Sequence, residues 1–188
     1  GYGQVASLRD RGRNELILLW VAPTGSVTAP FLPYRIGVNA IAPQFGRHRY
    51  LSKGEASNFV TRDWQVQEAT EFAGRTFKRL MYYTCDHPEQ FLGEVNATLV
   101  AFENRLIAEQ DRVARTAEVL FETNHDDLAI AFLTDYSWRN SQDALRLGNA
   151  LVDSIEARTR ELFGIRSPDD NIVSKLDYQM VTCRSNPE

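Results

Sequence analysis

The chain has 188 residues, of which 43% are hydrophobic and 24% charged, a balance that gives one ordinary globular domain enough apolar material for a core. A formal net charge of -4 argues against a general nucleic-acid binder, and the longest apolar run, Leu16 to Ala22, is far too short to cross a bilayer as a helix. Metal and cofactor signatures are missing: His48, His87 and His125 are far apart, and there is no HExxH, CxxC, GxGxxG, P-loop or GxSxG.

The charge is uneven. Between Gly1 and Lys53, seven Lys or Arg face only Asp10 and Glu15, so the acidic excess lies in the rest of the chain. Such a basic entry segment can face an acidic partner or substrate, or simply be a solvated surface. Cys85 and Cys183 are the two cysteines; their spacing allows a disulfide and equally two reduced thiols. No signal peptide is visible, and a leader upstream of Gly1 would be out of view. The compartment stays open, with the cytoplasm ahead of secretion.

In chain order, residues 1–8 (GYGQVASL) read as a short strand, and Arg9 to Asn14 as a polar hairpin connection around Gly12. Leu16 to Val21 (LILLWV) is nearly continuous in apolar residues, the pattern of a strand buried on both faces. Pro23, Thr24 and Gly25 end it. Proline cannot donate to a ladder, so Ala29 to Val38, with Pro30 and Pro33, is an edge strand or an irregular crossing. Pro43 to Lys53 is loop-like, with a basic cluster at Arg47, His48 and Arg49 that could hold an anion.

From Gly54 the period becomes helical. Ala69, Phe72, Ala73, Phe77, Leu80 and Met81 share a face of a helix that should end near Cys85. Asp86, Pro88 and Glu89 read as a cap, an early proline and an acidic first turn. The long helix that follows keeps one stripe through Phe91, Val95, Leu99, Leu106, Val113 and Leu120. Gln110 interrupts that stripe, which implies a bend or a second packing partner. Asn124 with Asp127, and Asn140 with Asp143, look like two further helix starts. The last helix should close at Gly164 in a left-handed cap. Asp126 and Asp127 fit the positive end of a helix dipole. Trp64 and Trp138 are expected to pack between helices. The sequon at Asn96 falls inside the long helix. Residues 167–188 read as an extended tail. Strands at about 3–38 and helices at about 54–163 make an α+β domain over 1–166. Two or three strands make a poor sheet by themselves, so the sheet is expected to continue in another chain.

Two blocks carry a resemblance. Trp20, Val21, Ala22, then a turn over Pro23 to Thr28, then Pro33 to Val38 (PYRIGV) and the AIAPQF that follows resemble the C-terminal part of the dipeptidase A and secernin-like cysteine peptidases. These belong to the N-terminal-nucleophile (Ntn) hydrolases. The AFLTDYSWRNS stretch at Ala131 to Ser141 resembles a second segment of the same family, so the likeness spans roughly Gln4 to Phe163. It implies an αββα sandwich in the complete protein and hydrolysis of small amides or dipeptides. It also implies an N-terminal cysteine, freed by autoproteolytic processing, whose own α-amino group serves as base. Residue 1 here is Gly, and neither Cys85 nor Cys183 is N-terminal. The resemblance therefore implies a heterodimer in which a companion N-terminal chain supplies the nucleophile, with no cofactor, nucleic acid or membrane involved. The substrate-side candidates in this chain are Thr24 and Ser26 as hydroxyls, Tyr34 and Arg35 as pocket residues, and Arg62. Arginine suits a substrate carboxylate because its fork can bind bidentately. Gly25 would let backbone approach a ligand closely. Two competing readings are a non-catalytic helical interaction module and an Ntn-fold acyltransferase.

Overall fold

The apolar run at Leu16 divides between two elements. Its first residue closes a 3-10 turn over Asn14–Leu16, and only then does the strand begin. The computed structural model describes residues 3–7, 12–46 and 71–164. Strands β1 (Gly3–Ser7), β2 (Leu18–Ala22) and β3 (Leu32–Arg35) form an antiparallel sheet in that order. Helices α1 (Ala73–Asp86), α2 (Pro88–Glu122) and α3 (Asp126–Phe163) follow, with a second 3-10 turn at Pro43–Phe45 between sheet and helices. The coarse α+β class holds. The predicted tail, Trp64, Ala69 and the Arg47–Arg49 cluster lie outside the described residues.

The sheet meets the helices through β3, which packs on both α2 and α3. Pro33 sits in this strand as expected of a sheet margin, and the margin is covered: the Phe31 amide donates to Glu103 Oε1 of α2 at 2.8 Å. β2 lies one strand further out and β1 outermost. The expectation that the apolar run is buried on both faces is therefore corrected. Leu18 and Ala22 at its ends are buried, but Leu19, Trp20 and Val21 are only half covered. A sheet attached mainly through one margin cannot bury both faces of its middle strand.

The helices hold most of the core. Phe77 and Leu80 of α1, Phe91, Val95, Leu99 and Leu106 of α2, and Ala144, Leu145, Val152 and Ile155 of α3 form one cluster with Ala22, Ala29 and Leu32. A smaller cluster at the other end joins Leu16 to Val113, Ala117, Phe121, Ala129 and Leu133. These are the helical stripes that the periodicity marks, one turn after another.

Several expected boundaries move. The cap of α2 is His87, not Asp86, and it makes no side-chain cap bond; Pro88 takes the first helical position as read. The two helix starts expected at Asn124 and Asn140 are a single 38-residue helix, capped at His125. Asn140 fails as a cap because its amide is used inside the helix, donating to the Tyr136 carbonyl at 2.9 Å while its oxygen faces Arg105. Gly164 ends α3 with φ 76°, a sign glycine alone accepts easily, but its ψ of -178° puts it outside the left-handed helical region of the expected cap. Trp138 is 37% exposed rather than packed between helices.

Candidate functional site

Tyr34 and Arg35 are neighbours in β3, so the pleat sends them to opposite faces of the sheet. Directly opposed residues of an antiparallel pair share a face. Leu18 opposes Arg35 and Trp20 opposes Pro33, with Val5 and Ser7 of β1 on the same side. Leu19 opposes Tyr34 and Val21 opposes Leu32, with Gln4 and Ala6 on theirs. Each face borders a groove, and each groove holds one of the two candidates.

The Tyr34 groove has a volume of about 570 Å³ and is mostly apolar, walled by Leu19, Val21, Val38, Ile41 and Phe45 and closed by the first residues of α1, Ala73 and Gly74. Tyr34 Oη lies 2.9 Å from Ser141 Oγ of α3. Ser141 donates its one proton to the Ser137 carbonyl at 2.8 Å, so it accepts from Tyr34. That bond fixes the phenol against the helix. Burial holds the Tyr34 pKa above its ordinary value, so the group is a neutral donor at any ordinary pH.

The Arg35 groove, about 600 Å³, lies between the other face and α2, and includes Trp20, Phe31 and Ile107. Arg35 is 4% exposed. Its guanidinium donates to the Leu16 carbonyl at 2.6 Å, to Gln110 Oε1 at 3.0 Å and to the Gln110 carbonyl at 3.4 Å. These donors bind the sheet to α2. Gln110 extends the network: Nε2 donates to the Leu106 carbonyl at 2.8 Å and to Tyr136 Oη at 3.1 Å. Tyr136 in turn donates to Glu109 Oε2 at 3.0 Å, and Arg105 donates to Glu109 Oε1 at 3.4 Å. Burial first, then the Glu109 carboxylate, pushes the Tyr136 pKa up to about 12.

The turn after β2 does not join either arrangement. Ser26 is exposed. Thr24 Oγ1 is buried without a hydrogen-bond partner, and so is the hydroxyl of Thr28 in the same turn. A side chain at Gly25 would meet only Met81 Sδ at 3.5 Å, an ordinary contact within the chain. Arg62 lies outside the described residues. The structure thus places Tyr34 in an apolar groove, Arg35 behind it in a polar network, and the hydroxyls of Thr24 and Ser26 apart from both.

Gln110, Tyr136, Ser141 and Glu103 were not foreseen as site residues. Gln110 did leave a signal, as the polar break in the α2 stripe, where it meets Arg35 of β3 and Tyr136 of α3. The others leave none, because their partners are 72 to 107 residues distant along the chain or sit on the facing helix. Cys85 is disulfide-bonded, and no cysteine among the described residues is free. No metal-binding group of His, Cys, Asp and Glu occurs among the described residues. None of their helices is long and apolar enough to cross a membrane. No protein-family model matches the chain, and no curated protein or solved structure is significantly similar to it.

Proposed function

We propose that this chain is the C-terminal part of a cysteine-type Ntn amidohydrolase that cleaves small amide or peptide bonds, its nucleophile supplied by a companion polypeptide. The observation that carries the need for a companion is β2, an apolar strand whose Leu19, Trp20 and Val21 are left half covered by its own chain. The chemistry rests on the resemblance of the two blocks at Trp20 to Phe45 and Ala131 to Ser141.

In this reading the companion's N-terminal thiol attacks the amide carbonyl, and its α-amino group takes the thiol proton. The same proton passes to the departing amine as the C–N bond breaks, leaving a thioester. Water then attacks that ester with the amine again as base, releasing the acid and restoring the thiol. This chain contributes a wall. The Tyr34 groove offers apolar surface for a substrate side chain, one wall of it fixed by the bond from Tyr34 to Ser141.

Purification of the native material with intact-mass and N-terminal sequencing tests the reading. A second polypeptide beginning with Cys, labelled by a thiol alkylator with loss of amide hydrolysis, is the expected result. A lone, monodisperse chain that unfolds cooperatively overturns it.

A further inference from the structure

We infer that the Tyr34 groove selects amides that carry a large, uncharged apolar group on one side, such as an aliphatic chain, in preference to free dipeptides. The inference rests on the amidohydrolase reading above and names its substrate class.

The two grooves beside the sheet differ in charge. The Arg35 groove borders Glu103 and Asp111 as well as the guanidinium. Among the described residues, no Asp, Glu, Lys, Arg or His borders the Tyr34 groove. Only two of its side chains are polar. Tyr34 spends its proton on Ser141. Gln4 is exposed, on the outermost strand. A charged group drawn against the remaining walls would lose its water and find no counter-charge, which is strongly unfavourable. An apolar group meets no such penalty, and it covers Leu19 and Val21, which their own chain leaves half exposed.

Size sets the second limit. At about 570 Å³ the groove falls within the range, roughly 300–1,000 Å³, of sites that hold a whole small organic molecule. One small side chain would leave much of that space to water. A free dipeptide carries an ammonium and a carboxylate within a few bonds of its side chains, so it cannot fill the groove without drawing a charge toward the walls. A long uncharged chain fills it and leaves the scissile amide outside.

Calorimetric titration of the native complex with straight-chain alcohols, butanol to decanol, reads the groove without turnover. Each added methylene should tighten binding by about threefold to fourfold until the groove is full, and the gain should then stop. Val21→Trp, which fills the groove from β2, should bring that limit to shorter alcohols and weaken decanol binding by at least about tenfold. Leu19→Trp serves the same purpose if Val21→Trp does not fold. Val5→Trp, on the opposite face of the sheet, should leave the series as it is. In hydrolysis, decanoyl amides or amides of decylamine should exceed free dipeptides in kcat/KM by at least about tenfold. Affinity indifferent to chain length overturns the inference, as does a series that Val21→Trp leaves unchanged or that Val5→Trp weakens equally. Thiol-dependent hydrolysis that prefers free dipeptides overturns it too, while the hydrolase reading stands. Chain-length dependence that follows Val21 in material with no thiol-dependent hydrolysis sustains the groove as a site for apolar ligands and removes the hydrolase reading instead.

Discussion

Thr28 and Tyr136 show how differently two buried hydroxyls can be treated. Thr28 is 3% exposed and its hydroxyl has no partner, so it carries the cost of desolvation with no bond in return. Thr28→Val keeps the shape and removes that cost. It should raise stability by about 1 kcal/mol, seen as a higher denaturant midpoint. Thr84→Val makes the contrast, since Thr84 Oγ1 bonds the Leu80 carbonyl at 2.9 Å and gains nothing from the change. Tyr136 is fully engaged between Gln110 and Glu109, and its pKa is raised from 10.0 to about 12. A raised acid pKa means the folded state holds its proton where the unfolded chain has lost it. The stabilisation is complete below pH 10 and disappears as pH rises from there to about 12. Unfolding midpoints measured across that window should fall steeply in the natural chain. In Tyr136→Phe the fall should be shallower, since the contribution of that phenol is gone.

The helices were the most legible elements, and their junctions the least. Periodicity marks the core face of each helix because three- and four-residue steps repeat over many turns, and one miscounted residue changes little. Caps are single-residue signals, and here Asn140 and Asp143 imitate one inside α3. Their side chains are spent on Tyr136 and Arg146 within α3 and on Arg105 of α2, and the last of these only the folded partner helix reveals. A related three-dimensional fact is Gly148, a helix-interior glycine that sequence alone marks as a weakness. An added Cβ there would lie 2.7 Å from Phe77 Cε1 and 3.2 Å from Thr76 Cγ2. Phe77 is fully buried, so it cannot swing away freely. Gly148→Ala should gain up to about 1 kcal/mol in helix propensity and lose more than that to overpacking, for a net destabilisation of roughly 1–2 kcal/mol. A thermal melt checks the sign. An increase in stability would show that α1 and α3 are not seated as closely as this contact requires.

At the scale of the molecule, the sequence disclosed a sheet that is too small and a strand that is too apolar, but not how they are arranged. The run LILLWV reads as doubly buried because apolar content alone cannot separate a covered strand from one waiting to be covered. The same limit applies to Tyr34 and Arg35, adjacent and chemically plausible together, yet divided by the pleat. Cysteine spacing was neutral between thiols and a bridge, and the structure decides for a bridge at Cys85, in the last turn of α1. The chain's other cysteine, Cys183, lies outside the described residues. A cross-link restricts the unfolded chain and is worth about 2–4 kcal/mol in typical cases. It also persists best in oxidising surroundings, which is where the native material should be sought. Thiol titration of the denatured, unreduced chain should therefore find no free thiol, and two after reduction. Cys85→Ser should lower stability by about 2–4 kcal/mol in oxidising buffer, and by much less when the comparison is made in excess reductant. Equal losses in both buffers would assign the effect to packing around α1 and remove the bridge from the account of stability.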